Sequence, residues 1–193
     1  AEIRNDNGKA KYNIVPSDGS TLFSAVADTP CRGTFYAEDL DIAYVAHSGR
    51  VYQVNSAGTA TSVGLLPGTD KVRFARNQAT DPQFVIRCDA GAFKIENNVI
   101  LTITDVDLPT VEDICDADGY IVYIIADGRY FISGLNDAAN IDALDFASAE
   151  QASDKLVAGW SWGGYLLLFG QRTIEPHKNT GNADFPFEPM PTV

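Results

Sequence analysis

At 193 residues with 14 basic and 26 acidic side chains, the chain is long enough for one core-bearing domain and carries a formal charge of −12. Such an anion binds nucleic acid through phosphate neutralisation only if it holds a strongly localised basic patch, and it is repelled by anionic membranes. Hydrophobic residues make up 45% and charged residues 21%, a globular balance rather than a disordered one.

The charge is uneven. Between Asp105 and Asp154 stand twelve acids and one base, Arg129, while the other 143 residues hold fourteen acids and thirteen bases. These twelve are expected to form one negative surface, on a channel side or opposite a basic partner. The polar stretch Ala1 to Lys11 has no apolar signal-peptide core, and no apolar run approaches the length of a membrane span. Three cysteines, Cys31, Cys88 and Cys115, form no C-x-x-C or Cys/His cluster, so reduced thiols are expected and zinc is not.

In chain order, the apolar runs are short, rich in Val, Ile, Tyr and Phe, and cut by Gly, Asn and Asp. That pattern predicts an all-β protein. Ile42–Val45 leads through Gly49 into Arg50–Val54, and Gln83–Arg87 through Gly91 into Ala92–Ile95. Tyr120–Ala126 leads through Asp127-Gly128, a type I′ turn signal, into Arg129–Ile132. Tyr165–Phe169 leads through Gly170 into Arg172–Ile174. The turn glycines lie 42, 37 and 42 residues apart. A period near 40 with four strands per unit is the signature of β-propeller blades, and its recurrence favours blades over a sandwich.

Outer strands are expected at Thr61–Leu65, Val99–Thr104, Ile141–Phe146 and Phe185–Met190, with a further run opening each unit at Thr34, Val72, Val111 and Leu156. The expected fold is therefore one propeller-like domain over residues 1–193, of about four blades or a partial propeller. Its repeats fall near 34–70, 71–110, 111–155 and 156–193, after N-terminal strands or an arm over 1–33. The Ala- and Ser-rich stretch Asn136–Lys155 reads as an ordered inter-strand loop.

Catalytic signatures are missing. No Walker A loop, G-x-G-x-x-G, G-x-S-x-G or H-E-x-x-H occurs. His47 and His177 read as surface turn residues rather than general bases. The nearest approach to a calcium loop is Asp116 with Asp118, but Ile114 stands where the first ligand belongs, and the run reads more simply as a turn before Tyr120. No cofactor is implied. Trp160 and Trp162 alternate with Ser161, so both fall on one side of a strand, as a core or subunit contact or as a sugar-stacking platform.

From Gly119 onward the words become specific: Arg129-Tyr130-Phe131-Ile132-Ser133-Gly134-Leu135-Asn136-Asp137, then Leu144-Asp145-Phe146-Ala147-Ser148-Ala149-Glu150, and finally Asn179-Thr180-Gly181-Asn182-Ala183-Asp184-Phe185-Pro186-Phe187-Glu188. Together with looser earlier matches at Thr21-Leu22-Phe23 and Arg32-Gly33, the chain resembles the packaged-DNA stabilisation, head-completion or tail-hub family of short-tailed bacteriophages. Members are usually more than twice this length, so the likeness is to their N-terminal half. Where many carry an aromatic after the Thr-x-Glu word, this chain has Pro176-His177.

The resemblance implies a non-catalytic structural protein of the virion's head-to-tail junction, made in the host cytoplasm. It would close the portal channel over packaged DNA and, at full length, assemble as a ring. Its implied partners are the portal or adaptor and tail-needle proteins, with no sequence-specific nucleic-acid binding and no membrane. Trp160, Trp162, Asp184, Phe185 and Phe187 are the expected partner or oligomer contacts. The alternative reading is a carbohydrate-binding or glycosidase-like propeller, which needs two convergent acids and an aromatic platform.

Overall fold

The computed structural model describes residues 2–6, 9–13, 22–26, 30–149 and 154–190. Its described strands fall into a hairpin, β1 (Glu2–Asp6) with β2 (Lys9–Asn13), followed by four antiparallel four-stranded sheets. The first sheet holds β3 (Cys31–Ala37), β4 (Ile42–His47), β5 (Arg50–Asn55) and β6 (Ala60–Leu65). The second holds β7 (Arg73–Arg76), β8 (Phe84–Cys88), β9 (Gly91–Glu96) and β10 (Val99–Thr102). The third holds β11 (Asp113–Ala117), β12 (Tyr120–Ile124), β13 (Arg129–Gly134) and β14 (Asp137–Ser148). The fourth holds β15 (Leu156–Trp162), β16 (Tyr165–Gly170), β17 (Ile174–Asn179) and β18 (Phe187–Pro189).

In every sheet the strands pair in chain order, first to fourth, as propeller blades do. The first strands pack successively, β3 on β7, β7 on β11 and β11 on β15, and so form the inner rim.

Three apolar clusters hold the blades together. The first joins blades 1 and 2 through Tyr44, Ala46 and Val51 against Phe84, Ile86 and Phe93. The second joins blades 2 and 3 through Ala75 and Val85 against Ile114, Ile121, Tyr123 and Phe131. The third joins blades 3 and 4 through Val122, Ile124 and Ile132 against Leu156, Leu166 and Leu168. Alternation explains the faces: strand side chains point to opposite sides of a sheet, so each inner blade needs apolar residues at both parities. Strand β12 shows this, with Ile121, Val122, Tyr123 and Ile124 all buried.

A closed ring has as many interfaces as blades. Among the described residues no fourth cluster joins blade 4 to blade 1, and β15 and β3 make no contact comparable to the other three.

Two local expectations are corrected. The expected loop over Asn136–Lys155 is in most of its described part a strand: Asp137–Ser148 is the twelve-residue outer strand β14, whose register shifts twice along β13, and residues 150–153 lie outside the described residues. Bulges absorb the irregular spacing that hid the strand's alternation. At Asp127-Gly128 only Gly128 takes positive φ. There the Asp127 carboxylate accepts the Arg129 backbone N–H at 3.1 Å, a side-chain turn in place of type I′. The turns with two positive-φ central residues are Asp118-Gly119, Asn97-Asn98 and Gly163-Gly164.

Candidate functional site

Several polar side chains join one blade to the next. Arg32 on β3 is 6% exposed and donates to the carbonyls of Asp70, Ser48, Leu66 and Pro67, at 2.8 to 3.2 Å. One guanidinium thus ties blade 1 to the loop that opens blade 2, where its planar fork of donors suits several acceptors. Gln83 accepts the Ala138 backbone N–H at 2.7 Å, and Asn136 accepts that of Gln78 at 3.0 Å, linking blades 2 and 3.

Between blades 3 and 4 lies a buried chain of three side chains. Tyr130 on β13 meets Nδ1 of His177 at 2.9 Å, and Nε2 of His177 meets Glu175 at 2.8 Å. With the tyrosine hydroxyl donating to Nδ1 and Nε2–H donating to the carboxylate, a neutral imidazole satisfies both contacts. Burial lowers the His177 pKa against the opposing pull of Glu175, and burial raises that of Tyr130. His177 is fully buried on β17, so its expected role as a surface turn residue is corrected. Glu175 stands two residues away in sequence, but no signal in that neighbourhood reveals Tyr130, 47 residues upstream.

At the inner rim, Arg73 on β7 donates to Asp113 on β11 at 2.9 Å. The second carboxylate oxygen of Asp113 accepts the Gly159 backbone N–H of β15 at 3.2 Å. One acid therefore touches three consecutive blades. Beside it the Arg73 guanidinium lies 5.8 Å from the Trp160 ring. Arg73, Asp116 and Trp160 line a hollow of about 250 Å³, and burial raises the Asp116 pKa there.

Asp116 and Asp118 do not assemble a calcium loop. Asp116 is half-buried at the hollow, and Asp118 in the hairpin accepts from the Asn179 side chain at 2.9 Å. Among the described residues, three donor atoms come together at Asp70, Cys88 and Asp89 instead. Their carboxylates are already engaged. Asp70 accepts the Asp89 backbone N–H at 2.9 Å and Arg87 at 3.2 Å; Asp89 accepts the Thr69 backbone N–H at 2.9 Å. Arg32 lies 3.8 Å from both, so two guanidinium groups supply the positive charge. This is a loop clamp.

The expected contact residues separate. Trp160 and Trp162 lie on the same face of β15, 53% and 70% exposed. Asp184 is exposed in the turn before β18, where its backbone N–H bonds the Asn182 side chain. Phe187 is corrected: it is 3% exposed, packed edge-on against Tyr120 inside the blade 3–blade 4 cluster. Phe185 packs beside it against Tyr130. Alternation around Pro186 left the direction of these rings open, and the short span of β18 turns them inward.

The twelve acids between 105 and 154 do not make one surface either; eleven of them are described. They run from β11 on the inner rim (Asp113, Asp116), through the Asp127 turn, to Asp137, Asp142 and Asp145 on β14. Many serve locally: Asp113 pairs with Arg73, Asp127 with Arg129, and Asp154 accepts the Arg172 backbone N–H, which lowers its pKa.

The face of blade 4 turned away from blade 3 is partly exposed among the described residues. The strand register puts Trp160, Leu167 and Pro176 in one row, Trp162, Tyr165 and Lys178 in the next, and Ala158, Phe169 and Ile174 in a third. Trp162, Tyr165 and Ile174 are 70%, 36% and 60% exposed.

Successive four-stranded blades around an inner rim define a β-propeller-class protein with no assembled catalytic constellation among its described residues. The family model described as bacteriophage P22 Gp10, beta-propeller, matches residues 2–193, and the chain belongs to that phage stabilisation family. Its role is accordingly that of a bacteriophage structural protein. No curated protein is significantly similar to it. Among solved structures it is similar to the computationally designed Ika4 protein, at 10% identity and a TM-score of 0.56, over 82% of this chain and 98% of that one. It is also similar to YCF48 from Cyanidioschyzon merolae, at 9% identity and a TM-score of 0.50, over 78% of this chain and 56% of that one. BamB from Moraxella catarrhalis aligns at 18% identity and a TM-score of 0.48, with 73% of this chain on 40% of that one. The chain spans about half the length of the latter two, and the likenesses to Ika4 and YCF48 speak to fold alone.

Proposed function

We propose that the protein works without catalysis at the head-to-tail junction of the phage particle, where it helps close the portal channel and retain packaged DNA. The observation that carries this reading is the family match along the whole chain. A second feature agrees with it: Arg32, Asp113, the half-buried Gln83 and the buried Tyr130–His177–Glu175 chain hold blades together, and no nucleophile–base pair is assembled among the described residues. In this reading the portal or adaptor and tail-needle proteins are the partners, the full-length protein forms a homo-oligomeric ring, and the finished protein resides in the virion. The test is genome retention. Particles assembled without the protein should fill with DNA and then lose it to added nuclease; particles that keep a protected genome without it contradict the proposal.

The carbohydrate reading rests on Trp160 and nearby acids. It is weakened by their engagement, since Asp113 is bonded to both Arg73 and Gly159. A glycan array is expected to show no saturable binding.

A further inference from the structure

Two of the blade interfaces carry a buried cysteine, and they differ in what else is buried there. Cys88 lies in the blade 1–blade 2 cluster, where its thiol meets the Pro67 carbonyl at 3.3 Å. Cys115 lies in the blade 3–blade 4 cluster, where the backbone of β15 closes over it: a Cβ on Gly159 would fall 2.9 Å from its sulfur. The interface between blades 3 and 4 also encloses His177, held between Tyr130 and Glu175. The other histidine, His47, ends β4 in blade 1 and is only half-buried.

Hydrogen-bond direction decides what one more proton does. In the neutral ring Nδ1 accepts from Tyr130 and Nε2–H donates to Glu175. A proton added at Nδ1 sets a donor against a donor. The Tyr130 hydroxyl must turn to become the acceptor, and its own hydrogen then loses its partner inside the cluster. The imidazolium also brings a charge among apolar groups, since Leu166 and Pro189 flank His177 in the strand register and Phe185 packs on Tyr130. Glu175, on the same strand, is the carboxylate that opposes this cost. The other titratable groups of the interface are engaged elsewhere. On β11, Asp113 is bonded to Arg73 and the Gly159 N–H, and Asp116 lines the inner-rim hollow. In the turn after β11 Asp118 accepts from Asn179, and on β12 Tyr120 packs against Phe187. Lys178 and Glu188, opposite each other on β17 and β18, are exposed on the far face of the sheet.

We propose that the Tyr130–His177–Glu175 chain is a proton-operated latch: protonation of His177 in mildly acidic solution releases blade 4 from blade 3 while blades 1 and 2 stay joined. The release is a local opening of one cooperative unit rather than unfolding of the whole chain. Its sign follows from linkage. The open form takes up the proton that the closed form resists, so opening grows as pH falls below the ordinary histidine value of 6.5. From about pH 7 to about pH 5 that linkage multiplies the open population by up to about 25-fold. The latch is independent of where the protein sits in the phage particle, and its test reads thiol access rather than genome retention.

The two buried thiols read the two interfaces in one molecule. The 193-residue chain is treated with a pyridyl disulfide, which labels thiols at acid as well as neutral pH. Each cysteine's rate is followed by peptide mass and divided by its rate in the denatured chain at the same pH, which removes the pH dependence of the thiol itself. Between about pH 7 and about pH 5 the ratio for Cys115 should rise at least about tenfold, while that for Cys88 stays constant. His177→Gln, whose amide can accept from Tyr130 and donate to Glu175 without titrating, should remove the rise. Glu175→Gln should keep it, because the imidazole and not the carboxylate takes the proton. A flat Cys115 ratio in the wild-type chain overturns the proposal, as does a parallel rise at Cys88, which marks global unfolding. A rise that survives in H177Q, or one that vanishes in E175Q, overturns it as well.

Discussion

Arg32 satisfies four carbonyl oxygens around the blade 1–blade 2 junction. Replacing it by Met would keep much of the stem's volume and leave those carbonyls to find other donors. The expected cost is about 2–4 kcal/mol, read as a lower urea midpoint at unchanged slope. His177 sets a pH dependence. Burial holds it neutral in the folded chain, so below the ordinary histidine value of 6.5 the unfolded chain takes up a proton that the folded chain resists. Stability is therefore full above that value and falls as pH drops through it toward about 5. A wild-type urea midpoint unchanged between about pH 7 and about pH 5.5 would contradict this, and His177→Gln should show a smaller change over that window. The thiols separate by exposure: Cys31 is exposed, Cys88 and Cys115 are buried, and burial raises the Cys115 pKa further. A thiol reagent should titrate one cysteine in the native chain and three in denaturant, since only an accessible thiolate reacts. The Tyr130 partner of His177 and the Asp70 carbonyl held by Arg32 were not legible in the sequence, because they lie on another blade or its leading loop.

The blade was the most legible level. Strands β4, β5, β8, β9, β12, β13 and β16 fall within a residue or two of the runs that predict them, because alternation and turn chemistry act over a few residues. The outer strands followed less closely. Strand β14 was read only over its middle, Ile141–Phe146, because two register shifts and a run of Ala and Asp obscure the alternation of its ends. The turn at Asp127-Gly128 shows the same limit, since an aspartate carboxylate can cap a turn that the dipeptide alone assigns to positive φ. Close approach between blades is a further element-level constraint. A Cβ on Gly33 would fall 2.5 Å from the Val72 carbonyl oxygen, a backbone atom fixed by its neighbours in blade 2. Gly33→Ala should thus pry β3 from the start of blade 2 and cost about 1–3 kcal/mol; a thermal midpoint equal to wild type would refute the tight contact.

For the whole molecule, four blades share three interfaces, and the acidic excess that dominates the composition is dispersed over blade 3 from rim to edge. The sequence showed where the acids lie in the chain but not what they face, because radial position in a blade depends on strand rank rather than residue type. Trp160 and Trp162 were legible as one-sided, and only the blade order reveals that their side is turned away from blade 3. Phe187 shows the reverse: the same aromatic signal belongs to a core ring. A phage structural protein built this way acts through what it packs against. The measurement that bears most directly on that claim is a density map of the tail-bearing particle. The four successive blades are expected at the head-to-tail junction, with Trp162 and Ile174 covered in the assembled particle. Particles whose junction contains no such blades, or in which Trp162 and Ile174 stay bare, would contradict the account.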